Sequence, residues 1–566
     1  MEIYVLITVI IILVLIIYTY LVQAKKRRKR ELLLKIIEDD WDFIKEDKQD
    51  LSYIDYLYKI YQHQDQNQSM KVDDITWNDF EMDGVFDKIN YTYSTIGEIY
   101  LYNMLRNPTN NISILKERDR IIEYYATNKK ARVLKQYQLN NIGKFNKVSI
   151  YEYSKLIESI PPFNIAWHIM IPILQILSIF ILVINSNLGI PLFIAALSVN
   201  LVSYYKRSKH IEGYLPVIMQ IGSLLEAIKD MNDMQGDAEL IEYSNILSKI
   251  SELTKSYKRY YRFFGSLTFG KIPDIDMFYD TIIKPFLHTD IIVFLKLINF
   301  IRNNMSTLIV AYETVGFLDS MIAISAFRHK VLELQKENIC KPDFCTHQLC
   351  YIAQDIYNPL IIRPVTNSIN TIASILITGS NATGKSTFLR TIGLNAILAQ
   401  TIYTVCAKSY SASFFTIMSS MSLRDNIYRG ESYYMMEIKA LKRILDAINA
   451  EIPILCCIDE VLRGTNTIER IAASSKILES LAKSNVLCLV ASHDLELTYI
   501  VEDSYKNYHF QESVDSYGVV CDFKLYAGRS YTRNAINLLK FMGYSEDIID
   551  DAKSRANTYI SSGKWT

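Results

Sequence analysis

The sequence predicts a multidomain chain with an N-terminal transmembrane helix, an all-α core interrupted by a transmembrane hairpin, and a C-terminal α/β domain. Three observations carry this reading. Residues 3–22 are free of charge and lead directly into Lys25, Lys26, Arg27, Arg28, Lys29 and Arg30. A second apolar stretch, residues 165–205, is broken at Asn185-Ser186-Asn187, Gly189 and Pro191. In the last third, the short apolar runs 374–378, 454–458 and 486–491 each give way to glycine, carboxylate or imidazole residues. At 566 residues the chain exceeds what one hydrophobic core organises. Half of the residues are hydrophobic and the mean hydropathy is +0.07, high for a soluble chain of this size. The balance of 61 basic against 61 acidic residues removes any global pull toward nucleic acid, so DNA contact requires a local patch.

The expected divisions are 1–24 as membrane anchor, 25–76 as basic juxtamembrane and helical linker, 77–340 as helical core with the hairpin 165–205 set into it, and 341–566 as the α/β domain. At 1.5 Å per residue about 20 residues cross a hydrocarbon layer of about 30 Å, which residues 3–22 satisfy. The basic residues on the C-terminal side keep that side cytoplasmic and leave the N-terminus outside. A cleaved signal peptide is the alternative, suggested by Val22-Gln23-Ala24 and opposed by the missing basic n-region and the length of the run. The basic run fixes topology or attracts anionic lipid.

In the second stretch the uncharged turn and the exit residues Lys206, Arg207 and Lys209 fit a hairpin entered and left from the cytoplasm, for three spans in total. A buried soluble hairpin is the alternative, because each half is short and interrupted. His168, Gln175 and Asn200 are expected to be satisfied within the helix pair. From 217 to 264 apolar residues recur at helical spacing. Tyr257, Tyr260 and Tyr261 beside Lys258, Arg259 and Arg262 read as a flank covering a core rather than a base-stacking platform. Cys340, Cys345, His347 and Cys350 are of zinc-binding type, but their spacing matches no common structural site, so they read as ordinary thiols.

The chemistry is concentrated in the last third. The strand 374–378 runs into Gly379-Ser380-Asn381-Ala382-Thr383-Gly384-Lys385-Ser386-Thr387 and a helical pattern follows, the required context of a P-loop. Glycines let backbone amides curl round phosphates, Lys385 reaches the β and γ phosphates, and the Ser386 hydroxyl ligates magnesium. The strand 454–458 delivers Asp459 and Glu460, the first to the magnesium and the second as general base toward water. The strand 486–491 delivers Ser492 and His493, which puts an imidazole where ligands bind in open α/β sheets and suits a γ-phosphate sensor.

These motifs, with Arg463-Gly464-Thr465-Asn466-Thr467 and Ser492-His493-Asp494-Leu495-Glu496-Leu497-Thr498, resemble in content and order the ATPase of the MutS family of DNA mismatch-repair proteins. Gly430-Glu431-Ser432 followed by residues 433–437 resembles the family's signature loop, and Arg529 to Ile536 its C-terminal portion. Asn358-Pro359-Leu360 falls where the family often has His-Pro-Leu. Upstream, Thr95-Ile96-Gly97-Glu98 with Leu101, Leu105, Arg106, Pro108 and Arg118 resembles the start of the family's lever and clamp.

The resemblance implies an ABC-like P-loop NTPase domain that binds ATP and Mg2+ and acts as a homodimer, with Ser432 presented in trans to the partner's nucleotide. It leaves too few residues before Trp77 for a mismatch-reading domain, and Phe510-Gln511-Glu512 matches that domain's wedge letters by coincidence. Two outputs compete: an ATP switch that binds mismatched or branched DNA at the membrane, and a membrane-process ATPase for remodelling or transport-like gating without DNA. An ABC transporter ATPase shares the motif order, but the segments at 463–467 and 529–536 favour MutS.

Overall fold

The structure, a computed structural model, describes residues 2–44, 51–62, 70–144, 150, 157, 165–232, 240–269, 283–380, 383–421, 433–448, 451–463, 465–483, 485–515, 518–529, 536 and 543–562. The chain divides into two compact units, each gathering separated stretches: Met1–Gln66, Asn90–Tyr102 and Ile121–Ala326 in one, Asn67–Ile89, Asn103–Arg120 and Phe327–Thr566 in the other. The division therefore differs from a single cut at residue 340.

The first unit is helical. With neither glycine nor proline between residues 2 and 39, one helix, Glu2–Asp39, runs through both the apolar and the basic run. Most side chains of 3–22 lie outside the described ones, while Lys25 to Arg30 are exposed. The helix ends on Trp41, whose ring lies 3.5 Å below the Arg132 guanidinium.

The hairpin consists of Ile165–Ile184 and Ser186–Ile211 with Asn185 alone between them. Asn185 Oδ1 accepts from the Asn187 N–H at 3.1 Å, and Gly189 permits the tight crossing, because a Cβ there would lie 2.2 Å from Leu182 Cα. Ile171, Pro172, Gln175 and Ser178 are buried on one face, whereas Phe180, Val183, Ile184 and Val202 are exposed. The pair does not satisfy its own polar residues as expected. His168 Nδ1 lies 3.0 Å from His288 Nδ1, Asn200 Nδ2 donates to Phe286 O at 3.1 Å, and the buried Gln175 side chain has no hydrogen-bond partner among the described residues. The first two groups turn to the chain at 286–288, which covers the hairpin's inner face. Tyr257 is in the core with its hydroxyl donating to Ile218 O at 2.7 Å, whereas the side chains of Lys258, Arg259, Tyr260, Tyr261 and Arg262 lie outside the described ones.

Among the described residues three helices are long and apolar enough to cross a membrane: Ile165–Ile184, Ser186–Lys209 and Met305–Leu334. The third is 78% buried by the protein itself, against 28% and 17% for the hairpin helices, and is a core helix. It carries Asp319, which accepts from the Tyr93 and Ser94 N–H groups at 3.0 and 2.9 Å and from Ser94 Oγ at 2.6 Å. Asp319 thus holds Ser94, whose Oγ caps the helix Thr95–Arg106 by accepting from the Gly97 N–H at 3.0 Å. Gly97 is required there, since a Cβ would lie 2.2 Å from Asp319 Oδ2.

In the second unit a six-stranded sheet is built from β1 (Ile375–Thr378), β2 (Thr416–Ser420), β3 (Ile454–Asp459), β4 (Val486–Ser492), β5 (Lys506–Asp515) and β6 (Gly518–Ala527), in the order β6-β5-β1-β4-β3-β2. All neighbours are parallel except the hairpin β5-β6. β1, β3 and β4 are buried along their whole length, which is why they read as unbroken apolar runs. A smaller sheet pairs Asp343–Phe344, Ser409–Ala412, Tyr351–Ile356 and Asn367–Thr371. In it the Cys345 thiol meets Ser411 Oγ at 3.2 Å and Cys350 is buried.

The upstream stretches join this unit through specific contacts. Phe80 fills the space at Gly393, where a Cβ would lie 2.1 Å from its ring. Asp79 Oδ2 accepts from Ser419 Oγ at 2.6 Å and from the Met421 N–H at 2.9 Å.

Asp319→Ala leaves three buried donors without their acceptor, and the expected loss is about 2–4 kcal/mol. Thermal or denaturant unfolding of the full chain checks it; unchanged stability would mean that the cap does not hold the helix.

Candidate active site

The C-terminal ends of β1, β3 and β4 lie side by side in register, with Thr378 opposite Ser492 and Asp459 opposite Ala491. Whatever follows these strands converges on one edge of the sheet. After β1 the chain turns at Gly379 (φ +147°), where a Cβ would come within 2.8 Å of Phe510 O. Asn381 and Ala382 lie outside the described residues. Thr383 is buried with its hydroxyl donating to Ser380 O at 2.9 Å, and Gly384 (φ +103°) admits the chain to the helix Lys385–Ile402. The helix N-terminus therefore points its unpaired N–H groups and positive dipole end at the sheet edge.

Lys385 Nζ donates to Gly379 O and Ser380 O, both at 2.7 Å. Burial pushes this amine down to about 8, against the opposing pull of Asp459 and Glu460. A cation held with so little water favours an anionic ligand. Ser380 Oγ donates to Glu512 Oε2 at 2.5 Å, tying the loop to β5.

Asp459 ends β3, nearly buried, and Glu460 follows with φ 63°, a left-handed conformation for a residue with a Cβ. Its carboxylate is engaged at both oxygens, by His493 Nε2 at 3.0 Å and by Arg463 Nε at 2.6 Å. The hydrogen bond from His493, then the charge of Arg463, hold it below the usual carboxylate range despite burial. His493 Nε2 is also 3.5 Å from Lys385 Nζ. Arg470, with Nε and Nη2 on Asp494 at 3.0 and 2.6 Å, steadies the turn that presents the imidazole.

Gly384, Lys385, Ser386, Thr387, Asp459, Glu460 and His493 together line a cavity of about 680 Å³. Gly379, Ser380 and Thr383 form the loop beside it. Ser432, with Gly430 and Glu431, lies outside the described residues. Asn358, whose Oδ1 accepts from the Leu360 N–H at 2.9 Å, also lines the cavity.

The structure adds residues that sequence reasoning passed over. Arg463 grips the Glu460 carboxylate. Phe510 and Glu512, set aside as a chance match, support the phosphate-type loop from β5. Phe523 lines the cavity from a bulge in β6. The only local signal was the alternation of the β5-β6 hairpin, and it names no partner.

This architecture defines an α/β domain with a cavity at the carboxyl edge of a parallel sheet, charged on the strand side and apolar toward Ile361, Val365 and Phe523. Residues 375–559 match the family profile described as MutS domain V. The DNA mismatch repair protein MutS of Natronomonas pharaonis is 31% identical over 181 residues, covering 31% of this chain and 21% of that protein. Its counterpart in Thermus thermophilus is 28% identical over 181 residues, 32% of this chain and 22% of that protein. Residues 375–559 thus carry a domain similar to domain V of the MutS family. The matched region spans about a fifth of the length of these relatives.

Gly384 sits where an L side chain is strained and where its Cβ would lie 3.3 Å from Phe523 Cδ1. Gly384→Ala is expected to destabilise the α/β unit by about 1–3 kcal/mol, read as a lowered unfolding midpoint. An unchanged midpoint would show that the loop relaxes without cost.

Proposed function

We propose that the chain is a dimeric ATPase, switched by ATP binding and hydrolysis. The supporting observation is the convergence of Lys385, Ser386, Asp459, Glu460 and His493 on one cavity beyond three parallel strands. The residues suit a nucleoside triphosphate: two glycines where a Cβ would crowd the loop, a buried amine, and a cavity within the range of small-ligand sites, roughly 300–1,000 Å³. The loop amides and Lys385 take the phosphates, and Phe523, Ile361 and Val365 offer an apolar wall for the base. Ser386 Oγ and Asp459 would hold a magnesium ion, which supplies charge neutralisation on the phosphates.

Glu460, ionised at neutral pH, orients and deprotonates the attacking water, and His493 holds that carboxylate and reports on the terminal phosphate. Turnover requires one Glu460 oxygen to exchange its present partner for water. Ser432 would complete the partner's site in trans, which makes the dimer the active form.

By likeness to relatives named as DNA mismatch repair proteins, the switch acts on mismatched or branched DNA. The competing reading is a membrane-process ATPase for remodelling or ABC-like gating, without DNA; the exposed apolar hairpin favours it. Glu460→Gln is expected to abolish hydrolysis, to retain ATP and to accumulate as an ATP-held dimer. Assayed at low salt on duplex, mismatched and branched DNA, the trapped dimer distinguishes the outputs: absence of all DNA binding sinks the repair reading. Hydrolysis surviving in this variant would remove Glu460 from the mechanism.

We further propose that the chain resides in the cell membrane with its α/β unit cytoplasmic and its N-terminus outside, through residues 3–22 and the hairpin. The outward side chains of the hairpin are apolar over the length of a bilayer, and basic residues flank both regions. The chain should remain in the membrane pellet after alkaline carbonate extraction. Release into the supernatant would leave the hairpin as a soluble docking element.

A further inference from the structure

The turn 460–463 is held in an unusual way. Glu460 and Leu462 both have left-handed backbones, at φ 63° and 61°, and neither is glycine. Two such residues in one short turn persist only where their surroundings over-determine them. On one side Val461 and Leu462 are buried in the core with Ile458 and Leu478. On the other side stands Glu437, in the helix Tyr433–Asp446. Its carboxylate accepts from the Arg463 N–H at 3.2 and 3.1 Å.

Arg463, fixed through its backbone, returns its side chain to the catalytic edge, with Nε on Glu460 Oε2 at 2.6 Å and Nη2 on Asp459 O at 3.1 Å. Glu437 is itself only 4% exposed, and burial raises its pKa. A buried carboxylate is an expensive way to brace a turn that serves stability alone.

We propose that Glu437 is a positioning residue for Glu460: accepting from the Arg463 N–H through both oxygens, its carboxylate fixes the turn that aims the catalytic carboxylate at water. The role rests on the ATPase reading above. Glu437 touches none of the reacting atoms; it acts through the Arg463 turn.

The test uses the full-length protein, with Glu437→Ala and Glu437→Gln compared with wild type and Glu460→Gln. The readouts are kcat and KM for ATP and the Kd of a fluorescent ATP analogue. Displacing a reacting group by about 1 Å costs about a hundredfold, so kcat in Glu437→Ala is expected to fall about that far while Kd stays at the wild-type value. Glu437→Gln keeps a carbonyl oxygen to accept the N–H groups and should retain an intermediate kcat. If the alanine variant does not fold, Glu437→Asp replaces it with the same expectation, because its shorter side chain withdraws the carboxylate from the Arg463 N–H. Wild-type kcat in the alanine or aspartate variant overturns the proposal, as does a loss expressed in nucleotide affinity rather than kcat. Wild-type protein without Glu460-dependent turnover overturns the ATPase reading and this role with it. Glu460-dependent turnover indifferent to residue 437 overturns the positioning role alone.

Discussion

Parallel pairing of β1, β3 and β4 is the constraint on which the candidate site depends. In a parallel sheet each strand must be re-entered from the same end, so everything that leaves the strands leaves at one edge. The pairing Thr378–Ser492 and Asp459–Ala491 sets the glycine loop, the carboxylate pair and the imidazole turn beside one another without long-range searching by their side chains. Complete burial of these strands fixes that register, because a slip would withdraw apolar side chains from packing on both faces. The edge inherits the rigidity of the core.

The groups at that edge compensate one another's charge. Lys385, short of water, leans on loop carbonyls, while Glu460 is shared between an imidazole and a guanidinium. Lys385 is pulled toward neutrality by burial, and Glu460 is held ionised by its donors. The lysine is thus short of solvation despite the nearby carboxylates Asp459 and Glu460, and the Glu460 carboxylate is already engaged at both oxygens.

Local chemistry was legible in the sequence and long-range support was not. The loop 379–387, Asp459, Glu460 and His493 could be read because each motif needs only the strand before it and the turn or helix after it, and the structure brings all three motifs to one cavity. The hairpin helices and their turn at Asn185 were readable for the same reason. Asp79, Phe80, Arg463, Glu437 and Glu512 were not assigned roles, since each acts on a partner that only folding brings near. An amphipathic stretch such as 74–89 likewise displays its apolar face in the sequence but not the surface that receives it. His168 and Asn200 show the converse limit, because polar residues in an apolar helix announce a partner without naming it.

The loop-bearing helix Lys385–Ile402 is also secured at its far end. Arg328 donates to Thr404 Oγ1 at 2.8 Å, to Tyr403 O at 2.9 Å and to Ile402 O at 3.3 Å, and it pairs with Asp119 at 2.7 Å. Arg118 donates to Thr401 O at 2.5 Å, and the Thr109 N–H donates to Gln400 O at 2.9 Å. The carbonyls that a helix leaves unpaired at its C-terminus are therefore met by two guanidinium groups, which also oppose the negative end of the dipole. Both arginines come from stretches outside the sheet, at 103–120 and 327–330. Removal of either guanidinium would leave carbonyls at this helix end without their donors, so the anchorage of the loop-bearing helix depends on residues far from it in sequence.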